Sequence, residues 1–182
     1  MKTHKLLKIF NKKAIDWLSD LKGIDNQLIH KKPTENSWSY SEVYDHAMRV
    51  SRSYQIPNLK TSLTESAERR KRKNKYGIAV FNIGIRKNIE MKMENFPAPL
   101  VENFTPVKRS KNELIQDFTS FIQEVNDLEH LLNTSTKDNK HYHPMFGDIS
   151  TKEWFALIEL HMWQHDKQKD KIKKYLEAKS TK

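Results

Sequence analysis

The sequence contains no cysteine among its 182 residues. A disulfide framework, a thiolate metal site and a cysteine nucleophile are therefore all excluded. Any chemistry in this protein must use histidine, carboxylates or hydroxyls, or a reactive group that a ligand brings with it.

Glycine and proline are also scarce, with four and six residues respectively. An all-β protein with many tight turns normally needs more of both, whereas the abundant lysine, glutamate, leucine, asparagine and isoleucine favour helices joined by a few loops. The length is close to that of one ordinary domain. We therefore predict an all-α fold and a single domain over residues 1–182.

Long apolar runs are missing as well. No stretch approaches the roughly 20 apolar residues of a membrane span, and the N-terminus carries charges every few residues, so we expect a cytoplasmic protein without a membrane partner. The net charge of +10 would attract a polyanion, but the lysines are spread along the whole chain. The one dense run, residues 69–73, is typical of a solvated helix end or linker, so nucleic acid is not the expected partner.

Three segments carry the same helix-start pattern, a serine followed three residues later by a glutamate. The serine caps the first free amides of a helix, and the glutamate bonds back to the serine amide. The three pairs are Ser39 with Glu42, Ser110 with Glu113 and Ser150 with Glu153. Trp38 and Ile149 precede two of these caps and are suited to the hydrophobic contact that fixes the direction of the incoming chain. We predict that a helix begins at each pair.

Apolar residues recur at steps of three and four behind these caps and along the N-terminus from Leu7 to Leu28. Each such stripe needs a partner surface. We therefore predict four amphipathic helices packed as a four-helix bundle. The first helix should end near Lys32, because Pro33 disfavours helical geometry in the residue before it.

The connections are predicted from proline, glycine and polar residues. Residues 57–95 should extend the second helix and then form a long connection to the third. Phe96–Pro99 and Pro106 indicate an extended crossing, and Asn133–Phe146 is predicted to be a polar loop before the fourth helix.

Two histidines, His161 and His165, interrupt the apolar row of the last predicted helix. They are four residues apart, which places both imidazoles on one side of the helix. His46 lies on the apolar side of the second predicted helix in the same way. Buried imidazoles could instead hydrogen-bond to carboxylates or backbone in the core. Three inward histidines on two helices favour a metal site with one position left open, as in catalytic zinc or a related divalent ion.

The other five histidines are expected at the surface: His4, His30, His130, His141 and His143. The first three lie near polar helix ends or beside an inner row, and the last two lie in the predicted polar loop. Two polar residues are candidates for orienting an imidazole. Gln168 lies three residues after His165, and Glu42 lies one turn before His46, although the helix cap is the favoured role for Glu42.

Two segments resemble the DinB-like (DinB/YfiT) family, and the resemblance covers nearly the whole chain. They are Trp38-Ser-Tyr-Ser-Glu-Val-Tyr-Asp-His46, and His143-Pro-Met-Phe-Gly147 through to His161-Met-Trp-Gln-His165. Phe96–Pro99 is similar to the corresponding loop of one subgroup. The resemblance implies a four-helix bundle in which His46, His161 and His165 bind a divalent metal, commonly nickel or zinc.

The resemblance implies several functions. Some members are S-transferases that use low-molecular-weight thiols such as bacillithiol, mycothiol or glutathione, others are described as metal-dependent hydrolases, and many have no assigned activity. We favour a transferase in which the metal lowers the pKa of the thiol and presents the thiolate to an electrophilic substrate. A hydrolase usually needs a carboxylate near the metal-bound water, but Asp45, Glu159 and Asp166 point away at helical spacing.

A third hypothesis is a non-catalytic bundle that binds a partner or nucleic acid through its basic surface. No sequence feature fixes the stoichiometry, so a homodimer remains an open expectation.

Overall fold

The structure is a computed structural model that describes residues 2–64, 72–86, 96–137 and 139–180. Most of these residues are helical, as expected. The helices are α1 (Thr3–Gly23), α2 (Tyr40–Val50), α3 (Ile56–Thr64), α4 (Lys75–Gly77), α5 (Ala98–Phe104), α6 (Lys111–Asp127), α7 (Glu129–Thr134) and α8 (Thr151–Ser180). A π-helical turn, Ser51–Gln55, joins α2 to α3, and a second, Ile78–Ile83, continues α4. Residues 69–71 of the basic run lie outside the described residues.

All three predicted helix starts are present. At α2 and α6 the serine hydroxyl accepts a hydrogen bond from the glutamate amide, and the glutamate carboxylate accepts one from the serine amide. Ser150 and Glu153 make the same reciprocal pair at the start of α8. The extension of the second helix is also confirmed, since α2, the π-helical turn and α3 run without a break to Thr64.

The first helix is shorter than predicted, because α1 ends at Gly23 and not near Lys32. Ile24 turns the chain into an extended conformation, with φ −75° and ψ 138°. The Lys111 ammonium then donates to the carbonyls of Lys22 and Ile24, at 2.8 and 2.5 Å. The carbonyls at a helix end have no partner within the helix, so a lysine from α6 stabilises this end.

The long helices pack through the predicted apolar stripes. Helices α1 and α2 each contact both α6 and α8, and α3 packs along α8. The buried hydrophobic side chains form one contiguous cluster. From α1 and α6 it includes Phe10, Ala14, Trp17, Leu21, Leu114, Phe118, Phe121 and Val125. None of the helices in the described ranges has an apolar stretch long enough to cross a lipid bilayer.

The crossing predicted from Phe96 to Pro106 contains a helix from Ala98 to Phe104. Helix α5 begins at Ala98, one residue after Pro97, so Pro99 lies in its first turn. The prediction of an extended crossing is wrong there because a proline in the first helical turn removes only an amide that has no helical acceptor.

The predicted polar loop, Asn133–Phe146, contains the first strand and the turn of a β-hairpin. Strands β1 (Lys140–His143) and β2 (Gly147–Ser150) pair antiparallel, with His143 opposite Gly147. The loop prediction is wrong for β1. Strands of four residues are too short for their alternation to be recognised against the polar background.

Residues 72–77 hold the turn of this hairpin. The Asn74 amide donates to the Phe146 carbonyl at 3.0 Å, and the Asn74 side chain donates to the Met145 carbonyl at 2.9 Å. The same side chain caps α4 by accepting from two backbone amides. One asparagine therefore ties a helix start to the hairpin turn.

Two of the four glycines make this close approach feasible. Gly147 has a φ of +74°, and a Cβ there would lie 2.7 Å from the Asn74 amide nitrogen. A Cβ at Gly77 would lie 2.3 Å from the Phe146 carbonyl oxygen. Any side chain at either position would push the segment and the hairpin apart.

The substitution Gly147→Ala should lower the free energy of unfolding by about 2 kcal/mol or more, because alanine is strained at positive φ and its Cβ meets backbone. Gly23→Ala is the matched control, since nothing lies within 4 Å of a Cβ there. It should change stability by no more than about 1 kcal/mol. Urea unfolding followed by circular dichroism measures both. Equal losses of unfolding free energy in the two variants would contradict the close contact between residues 72–77 and the hairpin.

Candidate metal centre

Three histidines meet between helices α2 and α8. His46 comes from the middle of α2, and His161 and His165 come from adjacent turns of α8. One nitrogen of each ring lies within 4.8 Å of the others. His46 and His161 are buried, with 4% and 5% of their surface exposed, and His165 is half-buried. The structure thus brings together the three residues that the sequence predicted as ligands, positioned to bind a metal ion.

The orientation of His46 is fixed by the end of α5. Its Nδ1 donates a hydrogen bond to the Phe104 carbonyl oxygen at 2.7 Å. Phe104 is the last residue of α5, where carbonyls lack a donor within the helix. A neutral imidazole with its proton on Nδ1 has a free lone pair on Nε2, which is the form that binds a metal.

Gln168 fixes His165 in the same tautomer, with the proton on Nδ1. The Nδ1 of His165 donates to the Gln168 side-chain oxygen at 2.8 Å. The prediction that Gln168 orients an imidazole is confirmed. Glu42, in contrast, accepts from the Ser39 amide and pairs with Lys32, so its helix-capping role is confirmed as well.

The Nε2 atoms of His161 and His165 lie 3.2 Å apart. Two nitrogens bound to one tetrahedral ion at about 2.0 Å each would lie about 3.3 Å apart, so this spacing fits a shared ion. The Nδ1 of His161 is the one buried side-chain polar atom without a hydrogen-bond partner in the described ranges. Without a cation, His161 donates its Nε2 proton to His165, and the buried Nδ1 of His161 has no partner. The donor set fits a divalent metal.

Burial keeps these imidazoles neutral. The pKa of His46 is lowered to about 4, mainly because burial desolvates the ring. The nearby His165 also lowers this pKa, whereas the hydrogen bond to Phe104 raises it. Desolvation is also the main cause that lowers the pKa of His161 and of His165. Neutral imidazole is the ligand form, so no proton has to leave for a metal to bind at neutral pH.

Trp38 forms an aromatic wall beside the histidines. Its ring centroid lies 4.6 Å from that of His46 and 5.9 Å from that of His165, and it stacks on His165 with the planes inclined by 22°. Trp38 directly precedes the Ser39 cap, so the start of α2 positions both the ligand His46 and the ring that shields it.

The acidic residues beside the ligands in sequence are engaged elsewhere. Asp45 pairs with Arg49 and accepts from the Val107 amide. Glu159 pairs with Arg86. The Asp166 carboxylate accepts from Lys13 and from the Trp17 indole. Their predicted orientation away from the ligands is confirmed, and the three histidines bring no negative charge to the site.

The prediction from the sequence is wrong for His143. His143 is 1% exposed, whereas a surface position was expected. It lines a small cavity together with His46 and His161. The available signal was local: Phe146, the last residue of the predicted polar loop, and Ile149 follow it closely, and both are fully buried. His4, His30 and His130 are exposed as expected.

No protein-family model matches the chain, and no solved structure matches it. Among curated proteins it is similar to YuaE, an uncharacterized protein of Bacillus subtilis (strain 168). The two sequences are 24% identical over 173 residues, which cover 94% of this chain and 99% of YuaE. The likeness therefore runs almost from end to end, and the name of this relative assigns no activity.

Acid should destabilise the metal-free protein through its buried imidazoles. An unfolded histidine binds a proton near its ordinary pKa of 6.5, whereas folded His46 resists protonation down to about pH 4. Between these values the unfolded state binds more protons than the folded state. The free energy of unfolding is therefore highest above pH 6.5 and falls as the pH drops toward 4.

Urea unfolding of chelator-treated protein between about pH 6.5 and pH 5 measures this effect. His46→Phe should flatten the slope by up to about 1.4 kcal/mol per pH unit. His130→Ala, at an exposed position, should keep the wild-type slope. A His46→Phe variant with an unchanged slope would contradict the assignment.

Proposed function

We propose that this chain is a DinB-like protein whose long helical segments form a four-helix bundle. The segments are α1, α2 with its continuation α3, α6 and α8. Support comes from the contacts of α1 and α2 with both α6 and α8, and from the placement of all three histidines of the family resemblance in one cluster. Metal sites built from facing helices of a bundle are a known use of this architecture.

We propose further that His46, His161 and His165 bind one divalent metal, zinc or nickel, through their Nε2 atoms. The observation that carries this proposal is the 3.2 Å separation of two Nε2 atoms in a buried site. The hydrogen bonds from Nδ1 of His46 and His165 to oxygen acceptors support it, because they leave both Nε2 atoms unprotonated. Three protein ligands leave a position for a further ligand.

The charge of this site favours an anionic ligand. Three neutral imidazoles leave the double charge of the ion uncompensated, and the neighbouring carboxylates Asp45, Glu159 and Asp166 are held in other contacts. Burial makes an uncompensated charge costly. When bound, such an ion lowers the pKa of a thiol or a water that joins it.

On this basis the protein is a metal-dependent transferase that uses a low-molecular-weight thiol. Its residues would hold the thiolate sulfur beside the three imidazoles, while the Trp38 ring, which packs on His46 and His165, would limit the access of water. The absence of cysteine agrees with an imported thiol. The electrophilic substrate would approach from the remaining open side.

A metal-dependent hydrolase is the alternative that uses the same ion. It would need a base near the bound water, and the three acidic residues adjoining the ligands in sequence are all turned to other partners. We therefore rank it second. A non-catalytic protein that binds nucleic acid through its basic surface has less support, because the lysines are spread along the whole chain. A homodimer stays a prediction.

Cobalt-loaded protein tests the transferase. Bacillithiol, mycothiol and glutathione should be added separately, and at least one should produce a sulfur-to-cobalt charge-transfer band. The His161→Ala variant should show no band, and the exposed control His130→Ala should behave as wild type. The thiol that binds should then react with a fluorogenic electrophile faster than it does without protein. Hydrolysis of an activated ester without any thiol band would favour the hydrolase.

A further inference from the structure

A small cavity adjoins the candidate metal site. Its volume is about 30 Å³. A water needs on the order of 10–15 Å³ of such space, so the cavity admits about two heavy atoms. His46 and His161 are part of its wall, so a molecule held at the three histidines has this space beside it. Aromatic rings and one aliphatic side chain form much of the remaining wall: Val50, Tyr54, Phe96 and Phe104.

The aromatic rings support one another and so preserve the shape of the cavity. The Tyr54 ring meets those of Phe96 and Phe104 edge to face, with centroids 5.6 and 5.7 Å away. Phe96 and Phe104 meet each other in the same way at 5.4 Å, and Tyr54 also meets Trp154 at 5.5 Å. Edge-to-face contacts at these distances are favourable, so this part of the wall is formed before a ligand arrives.

The amide group in the wall is engaged with other residues. The side-chain oxygen of Gln55 accepts from the Ser51 hydroxyl at 2.9 Å, and its nitrogen donates to the Leu157 carbonyl at 3.2 Å. The unpartnered Nδ1 of His161 is itself buried, so it adds almost no surface to the cavity. Neither group therefore makes the cavity a polar site.

His143 completes the wall without adding a charge. Burial lowers the pKa of His143 to about 3, so its ring is neutral. Its Nδ1 accepts from the Met145 amide at 3.1 Å, and its ring centroid lies 4.7 Å from that of Phe146. The cavity thus presents mainly ring and methyl surfaces. Such a surface favours an alkyl group over a hydroxyl, which would lose its hydrogen bonds to water on entering.

Val50 limits the size of the cavity from the end of α2. It lies four residues after His46, so both side chains are on one side of the helix, and it is buried. Val43 is buried on the same helix, three residues before His46, but is not part of the cavity wall. A change of size at Val50 therefore alters the cavity, and the same change at Val43 does not.

We infer that the cavity is an apolar subsite, which binds a short unbranched alkyl group of a small molecule held at the three histidines. The inference rests on the metal site of the proposed function and narrows the class of its substrate. With space for about two heavy atoms, the subsite admits the end of a short chain and excludes rings and branched groups. Val50 determines the length of chain that fits.

A series of alkanethiols tests the size of the subsite. Cobalt-loaded protein is titrated with ethanethiol, 1-propanethiol, 1-butanethiol and 1-pentanethiol, and the sulfur-to-cobalt band gives each affinity. Each methylene that enters the cavity should raise the affinity about fourfold. The affinity should be highest for ethanethiol or 1-propanethiol and lower for 1-pentanethiol. An affinity that stays constant, or that rises as far as 1-pentanethiol, would overturn the inference while leaving thiol binding intact.

A pair of thiols of equal length tests the polarity of the subsite. 2-Mercaptoethanol carries a hydroxyl where 1-propanethiol carries a methyl group. Burial of a hydroxyl without a hydrogen-bond partner should make 2-mercaptoethanol bind about tenfold more weakly than 1-propanethiol. Equal affinities, or tighter binding of 2-mercaptoethanol, would identify a polar site and overturn the inference. Both thiol experiments use the wild-type protein, so they do not depend on the folding of any variant.

Three variants test the role of Val50. Val50→Ala should bind 1-butanethiol at least about fourfold more tightly than wild type, because the deeper cavity admits a further methylene. Val50→Ile should move the highest affinity to a shorter chain. The matched control Val43→Ala should keep the wild-type order of affinities. An unchanged order in Val50→Ala, or the same shift in Val43→Ala, would overturn the assignment of Val50.

One outcome would reach further than the subsite. If cobalt-loaded wild type shows no sulfur-to-cobalt band with any alkanethiol, nor with bacillithiol, mycothiol or glutathione, the thiol transferase and this inference are overturned together.

Discussion

The close approach of the His161 and His165 Nε2 atoms is the constraint on which the rest of the site depends. At 3.2 Å this contact is favourable either when His161 donates an Nε2 proton to His165 or when both nitrogens bind one cation. Burial lowers the pKa of both rings and keeps them neutral, which is the form that binds a metal. Together with His46, the two rings are positioned to bind one ion.

The elements around the histidines are arranged to keep that geometry. The carbonyl at the end of α5 fixes His46, and Gln168 fixes His165 within α8 itself. The neighbouring acidic side chains Asp45, Glu159 and Asp166 are held in ion pairs with other residues, so the centre stays free of negative charge. The protein thus orients the imidazoles through these hydrogen bonds and contributes three neutral nitrogen ligands to the site.

Local patterns explain why much of this was predictable. The capping boxes at Ser39, Ser110 and Ser150 need only residues three apart, and the inward position of His46 follows from helical spacing alone. The end of α1 was missed because its stabilising partner, Lys111, is remote in sequence. His143 was missed for a related reason. Its burial depends on a short hairpin and on the contacts of residues 72–77 with the hairpin turn. Neither produces a periodic pattern of apolar residues in the sequence.

Metal content tests the central claim most directly. Protein purified without a His-tag or chelator should be compared by elemental analysis with a variant carrying His161→Ala and His165→Ala. The account predicts about one equivalent of zinc or nickel per wild-type chain and none in the variant. No metal in the wild type, even after reconstitution with either ion, would contradict the account and leave a helical protein with three unexplained core histidines.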